Sequence, residues 1–155
     1  QLVEVKQDTM ETLHFSILIQ APKEKIWAVL WDDATYRQWT SAFCEGTYAV
    51  SDWKEGSKIH FLSPTGEGMN SLIQTKQEYE YMAFKHLGEL KNFQEMPIDQ
   101  ATQVWTGAME TYRLTTTSDG VLLETTMDCL AQYQQYFEDT FPKGLALVKQ
   151  LSETK

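Results

Sequence analysis

The stretch APKEKIWAVLWDDATYRQWTSAF, Ala21–Phe43, holds three of the chain's five tryptophans, Trp27, Trp31 and Trp39. Between them stand Lys23, Lys25, Asp32, Asp33 and Arg37. Pro22 suits a helix start, where its missing N–H would have had no partner anyway. Ile26, Trp27 and Leu30 recur at helical spacing, and Val29 widens the stripe. Asp32–Trp39 reads as a second short helix with acidic residues at its positive end. Two short helices under a sheet need bulky apolar residues, which makes Trp27 a core residue. A second reading sets Trp31 and Trp39 at the mouth of a cavity, beside Tyr36 and Phe43.

Upstream, Met10–Gln20 alternates Leu13, Phe15, Ile17 and Ile19 with His14, Ser16 and Gln20, the period of a strand. Downstream, six further strands are predicted: Glu45–Val50, Ser57–Leu62, Glu67–Gln77, Tyr79–Leu87, Gln103–Thr117 and Val121–Leu130. Turn signals at Lys54–Ser57, Ser63–Gly68 and Ser118–Gly120 separate some of them. The segment 89–102 fits neither period and is expected to be an extended loop with at most a helical turn. From Gln132 to Lys155 the pattern becomes helical, with Tyr133, Phe137, Phe141, Leu145, Val148 and Leu151 near one face. Pro142 is expected to kink or restart that helix.

The bulk numbers exclude several classes. The 155 residues suffice for one domain with a real core, and 42% are apolar. The net charge of -9 repels phosphate backbones and anionic lipid, so neither nucleic acid nor membrane is expected as a partner. No apolar run approaches the roughly 20 residues that span a bilayer. No stretch reads as a signal peptide. Cys44 and Cys129 have no CxxC partner and are expected to be reduced and buried, in a cytoplasmic protein.

Several strings resemble the START-like, or SRPBCC, superfamily. Ala21–Trp39 is similar to its "ExVWxALtdpexlxxW" opening. DWKEGSKIHF, Asp52–Phe61, resembles its "GGxxxF" hairpin. YEYMAFKH, Tyr79–His86, resembles its "RLVFxW" strand. METYRLTTTSDGVLLETT, Met109–Thr126, resembles its penultimate hairpin. The resemblance runs from about Leu13 to Leu151 and is nearest to the branch of heat-shock-chaperone ATPase activators. It implies an α+β helix-grip fold over residues 1–155, with a seven-stranded antiparallel sheet curled around the C-terminal helix. Two short helices follow the first strand. The space between sheet and helix in this fold commonly holds an apolar or amphipathic small molecule.

Alternation selects the inward residues. Lys85 facing water sends Met82, Phe84 and His86 toward the helix. By the same rule Ile59 and Phe61 point inward. So do Glu110, Tyr112 and Leu114, and likewise Leu123, Thr125, Met127 and Cys129. Met69, Ser71, Ile73 and Thr75 form the more apolar face of their strand. The candidate ligand-binding set is therefore Trp39, Phe61, Met69, Met82, Phe84, His86, Tyr112, Met127 and Phe141. His86 and Glu110 are the candidate catalytic pair. An inward Glu110 needs a partner such as His86, Tyr112 or a ligand, because an unpaired buried carboxylate is costly.

The sequence carries no GxSxG, HExxH, P-loop, GxGxxG or CxxC signature. His14, His60 and His86 show no metal-ligand spacing, so neither metal nor cofactor is expected. Three functions remain in view. The first is a binding protein for an apolar or amphipathic molecule. The second is a cyclase- or hydratase-type enzyme using His86 and Glu110. The third is a co-chaperone-like interaction protein. A monomer or homodimer is expected.

Overall fold

In the computed structural model, which describes residues 9–155, the first strand closes against the last. Strand β1 (Met10–Ile19) is followed by helices α1 (Lys23–Trp31) and α2 (Asp33–Thr40). Then come β2 (Tyr48–Val50), β3 (Lys58–Leu62), β4 (Gly68–Gln77), β5 (Tyr81–Lys91), β6 (Gln94–Glu95), α3 (Gln100–Gln103), β7 (Met109–Thr117) and β8 (Gly120–Leu130). A 3₁₀ turn, Ala131–Tyr133, leads into α4 (Gln134–Glu153). The sheet is antiparallel with seven strands in the order β1-β8-β7-β5-β4-β3-β2. Two-residue β6 adds an eighth by pairing with β5.

Helix α4 lays one face on the sheet. Phe141, Leu145 and Val148 are buried and Phe137 is half-buried. The Phe141 ring stacks on Phe15 of β1 with centroids 4.8 Å apart. Lys149 Nζ donates to the Leu18 carbonyl at 2.9 Å. The helix does not start afresh at Pro142, and α4 is one continuous element. Pro142 is exposed, and the carbonyl it leaves without a helical partner belongs to exposed Glu138. Where α4 crosses α2 the helix needs Gly144. A Cβ there would meet Phe43 at 3.1 Å and Trp39 at 3.5 Å.

The three N-terminal tryptophans all belong to the core. Trp27, Trp31 and Trp39 are each less than one-tenth exposed. Trp31 is the hub, within 6.5 Å of Trp27, Tyr36, Trp39, Trp53, Phe84 and Tyr112 by ring centroids. Trp39 ties α2 to α1, its indole N–H donating to the Leu30 carbonyl at 3.1 Å. That bond satisfies one of the carbonyls orphaned at the end of α1.

Several expected boundaries move. The strand read as Gln103–Thr117 starts only at Met109, because Asp99 caps the helical turn of α3 through Thr102 N at 2.9 Å. The strand read as Glu45–Val50 is only Tyr48–Val50. The strand read as Tyr79–Leu87 is Tyr81–Lys91, since Tyr79 has φ +69° and belongs to the turn before it. Strand β5 thus absorbs the start of the segment expected to be loop, and turns at Asn92 and Phe93, φ +52° and +64°. Positive φ at both central residues is the geometry of a tight hairpin turn that matches strand twist.

Candidate ligand cavity

A cavity of about 460 Å³ lies between the sheet, α2 and α4. Ten of its twenty-one lining residues are Phe, Tyr or Trp. Trp39, Phe61, Met69, His86, Glu110, Tyr112, Met127 and Phe141 are all on the wall, as are Tyr36 and Phe43. Met82 and Phe84 are not. Both are fully buried in the core, Phe84 packing on Phe61 at 5.1 Å and on Trp31 at 5.3 Å. Trp31 also lies in the core rather than on the wall. Inward direction alone does not separate core from cavity, because the sheet's inner face serves both.

One wall carries a chain of polar contacts. Ser71 Oγ lies 2.7 Å from His86 Nδ1, and His86 Nε2 lies 3.0 Å from Glu110 Oε1. The Tyr112 hydroxyl donates to the other carboxylate oxygen, Glu110 Oε2. The strands set this up. Ser71 of β4 sits opposite His86 of β5, and Phe84 sits opposite Glu110 of β7. The His86 backbone is pinned on the β7 side, its N–H to the Ala108 carbonyl and its C=O to the Gly107 N–H, both at 2.8 Å.

Ser71 fixes the proton positions. Its hydroxyl is fully buried and His86 Nδ1 is its partner. If Nδ1 carried a proton, the Ser71 hydrogen would lack an acceptor. With Ser71 assigned as the donor to Nδ1, the Nε2–H of His86 donates to Glu110. Glu110 is then a carboxylate receiving two donors, with lone pairs left toward the cavity. Tyr112 fits as the second donor. Burial first, then the Glu110 charge, holds its phenol well above the ordinary value, so it keeps its proton.

Strand β5 contains a bulge that changes which residues face inward. Ser71 pairs with His86 but Asn70 pairs with Gly88, leaving Leu87 as the extra residue. Met69 therefore faces Glu89, and both line the cavity. Strict alternation from His86 sends Glu89 outward, so no sequence signal marked it. The Glu89 carboxylate takes no hydrogen bond or ion pair from the described residues. Asp128 also lines the cavity, but its carboxylate is engaged by Thr12 Oγ1 at 2.6 Å and Met109 N at 2.9 Å. Trp105, just past α3, completes a wall that came from the unreadable segment and its flank. Tyr133 and Tyr136, both largely exposed, line the cavity where it meets solvent.

Other expected polar members fall elsewhere. Thr125 is buried, its hydroxyl without a hydrogen-bond partner, and Ser71 lies behind His86 rather than on the wall. Cys129 is buried as expected, and burial pushes its thiol up. Cys44 is exposed, contrary to expectation, in the turn region after α2. Among the described residues, no three His, Cys, Asp or Glu side chains are grouped as a metal centre requires. No helix is long and apolar enough to cross a membrane.

An antiparallel sheet with a long C-terminal helix across it and a cavity between them is a helix-grip fold. Among solved structures, the Aha1 dimer from Colwellia psychrerythraea matches with a TM-score of 0.71, covering 92% of this chain and 96% of its own at 18% identity. ChR145 from Cytophaga hutchinsonii matches at 0.64, covering 90% and 92%, with 25% identity. CalU16 from Micromonospora echinospora matches at 0.63, covering 93% and 75%, with 12% identity. No family model matches the chain, and no curated protein does.

Proposed function

We propose that this chain is a START-like domain that binds a small apolar or amphipathic molecule between its sheet and α4. The observation that carries this is the cavity itself: about 460 Å³, with aromatic residues as nearly half of its lining and His86, Glu89 and Glu110 on the sheet side. Small-molecule sites combine an apolar hollow with a few fixed polar groups in this way. The size is within the roughly 300–1,000 Å³ range of ligand pockets. The free cysteines Cys44 and Cys129 support a cytoplasmic setting, and the fold likeness to a dimer supports a monomer or homodimer.

A second reading, an enzyme of the cyclase or hydratase kind, is favoured by one contact, the 3.0 Å approach of His86 Nε2 to Glu110 Oε1. A general base must offer a free lone pair to the substrate proton. Both His86 ring nitrogens are already engaged, which leaves Glu110 as the sole candidate base of the pair. The enzyme reading therefore rests on Glu110 as base and not on His86 and Glu110 acting as an acid–base pair. The co-chaperone reading draws support only from fold likeness to the Aha1 dimer.

Native mass spectrometry of the protein purified from its own host tests the binding reading. A co-purifying small molecule, displaced by a neutral apolar probe that quenches Trp39 and Trp105 fluorescence, is expected. Protein that carries nothing and leaves such a probe free at all concentrations would sink it.

A further inference from the structure

The cavity's polar groups have one sign. Its acidic lining residues are Glu89, Glu110 and Asp128, and no lysine or arginine lines it among the described residues. A carboxylate or phosphate headgroup would meet no lysine or arginine here and would face the carboxylates of Glu89 and Glu110 instead. A wholly apolar ligand would strip water from Glu89 and Glu110 and return nothing.

The remaining wall points the same way. Ten aromatic rings surround the space, and ring faces attract cations. Behind Glu110 its side-chain partners are His86 and Tyr112, and neither a lysine nor an arginine reaches it among the described residues. Glu89 is turned into the same space by the Leu87 bulge and keeps all its lone pairs available. The neighbouring Tyr36 phenol is held well above its ordinary value, by burial and then by Glu110 beside it.

Building on the reading of the cavity as a binding site, we propose that its ligand is a protonated amine. An aromatic or aliphatic body packs on Trp39, Phe61 and Phe141. The ammonium group lies toward Glu89 and Glu110.

The test is calorimetric titration of the intact protein with three ligands of one skeleton: 1-naphthylmethylamine, 1-naphthylmethanol and 1-naphthoate. They are cationic, neutral and anionic at neutral pH. The amine is expected to bind about tenfold more tightly than the alcohol, and naphthoate most weakly. Glu89→Gln, checked for an unchanged melting profile, should narrow the amine-to-alcohol ratio several-fold. Glu110→Gln should narrow it further. Equal affinities of amine and alcohol, or naphthoate binding best, would overturn the amine while leaving the cavity a binding site. Failure of all three ligands, with no co-purifying molecule, would overturn both.

Discussion

Ser71 Oγ lies 2.7 Å from His86 Nδ1, and both side chains are closed to solvent. This contact orients the imidazole so that its Nε2 faces Glu110. Ser71→Ala removes the donor and leaves a buried ring nitrogen unpaired, a cost of about 1–3 kcal/mol. Urea unfolding should show that loss. Imidazole signals in NMR should show the His86 tautomer becoming mixed. A stability unchanged within about 0.5 kcal/mol would mean that the hydroxyl does not serve the ring.

Tyr36 and Tyr112 both have phenols held above the ordinary value of 10.0, chiefly by burial and secondly by the Glu110 charge. A group whose folded value is raised binds its proton more tightly in the native state. Its stabilisation is complete below the ordinary value and is lost as pH rises toward the folded one. The protein should therefore lose stability steadily above about pH 10. Phenolate absorbance should show these two of the seven tyrosines silent until the chain unfolds. Titration of all seven near the ordinary value in still-folded protein would contradict the buried network.

Met69 and Met82 separate wall from core. Met69 lines the cavity, whereas Met82 is fully buried away from it. Met69→Trp should fill the space and abolish binding of an apolar probe with little change in melting. Met82→Trp should overpack the core and destabilise by about 1–3 kcal/mol. Equal effects of the two on probe binding would show that the cavity extends to Met82.

Gly68 begins β4 at φ +157°, and a Cβ there would lie 1.8 Å from the Phe61 carbonyl oxygen. That atom is backbone and cannot rotate away. Gly68→Ala should destabilise by at least about 2 kcal/mol and shift the Phe61 wall. Chemical denaturation against the parent measures it, and a loss under about 0.5 kcal/mol would show that the hairpin yields easily.

Much of this was legible because regular ladders obey a strict period. Alternation from Lys85 correctly sent Met82, Phe84 and His86 inward, and alternation on β8 did the same for Leu123, Met127 and Cys129. Glu110 was read as needing His86 or Tyr112, and it contacts both. The period failed where the ladder is irregular. Leu87 adds one residue to β5 and reverses the facing of Glu89. The turn at Asn92–Phe93 was invisible because Phe93, at φ +64°, stands where a glycine is the usual signal. Cys44 looked buried by residue type, yet type carries no information about a turn between a helix and a short strand. Pro142 looked like a breaker because the sequence did not reveal that its lost bond falls on the wet side of α4.

The Leu87 bulge also divides β5 into two stretches under different selection. Before it, the even-numbered side chains Met82 and Phe84 are committed to the interior, where a change of volume is felt by Trp31 and its neighbours. After it, Glu89 lines the cavity, and its carboxylate takes no hydrogen bond from the described residues. Of the residues just past the bulge, Gly88 and Leu90 are buried and Glu89 is the one on the cavity wall, so a substitution at Glu89 changes that wall while leaving the core side chains in place. A descendant of this protein could change its taste by one residue, Glu89, while inheriting its architecture intact.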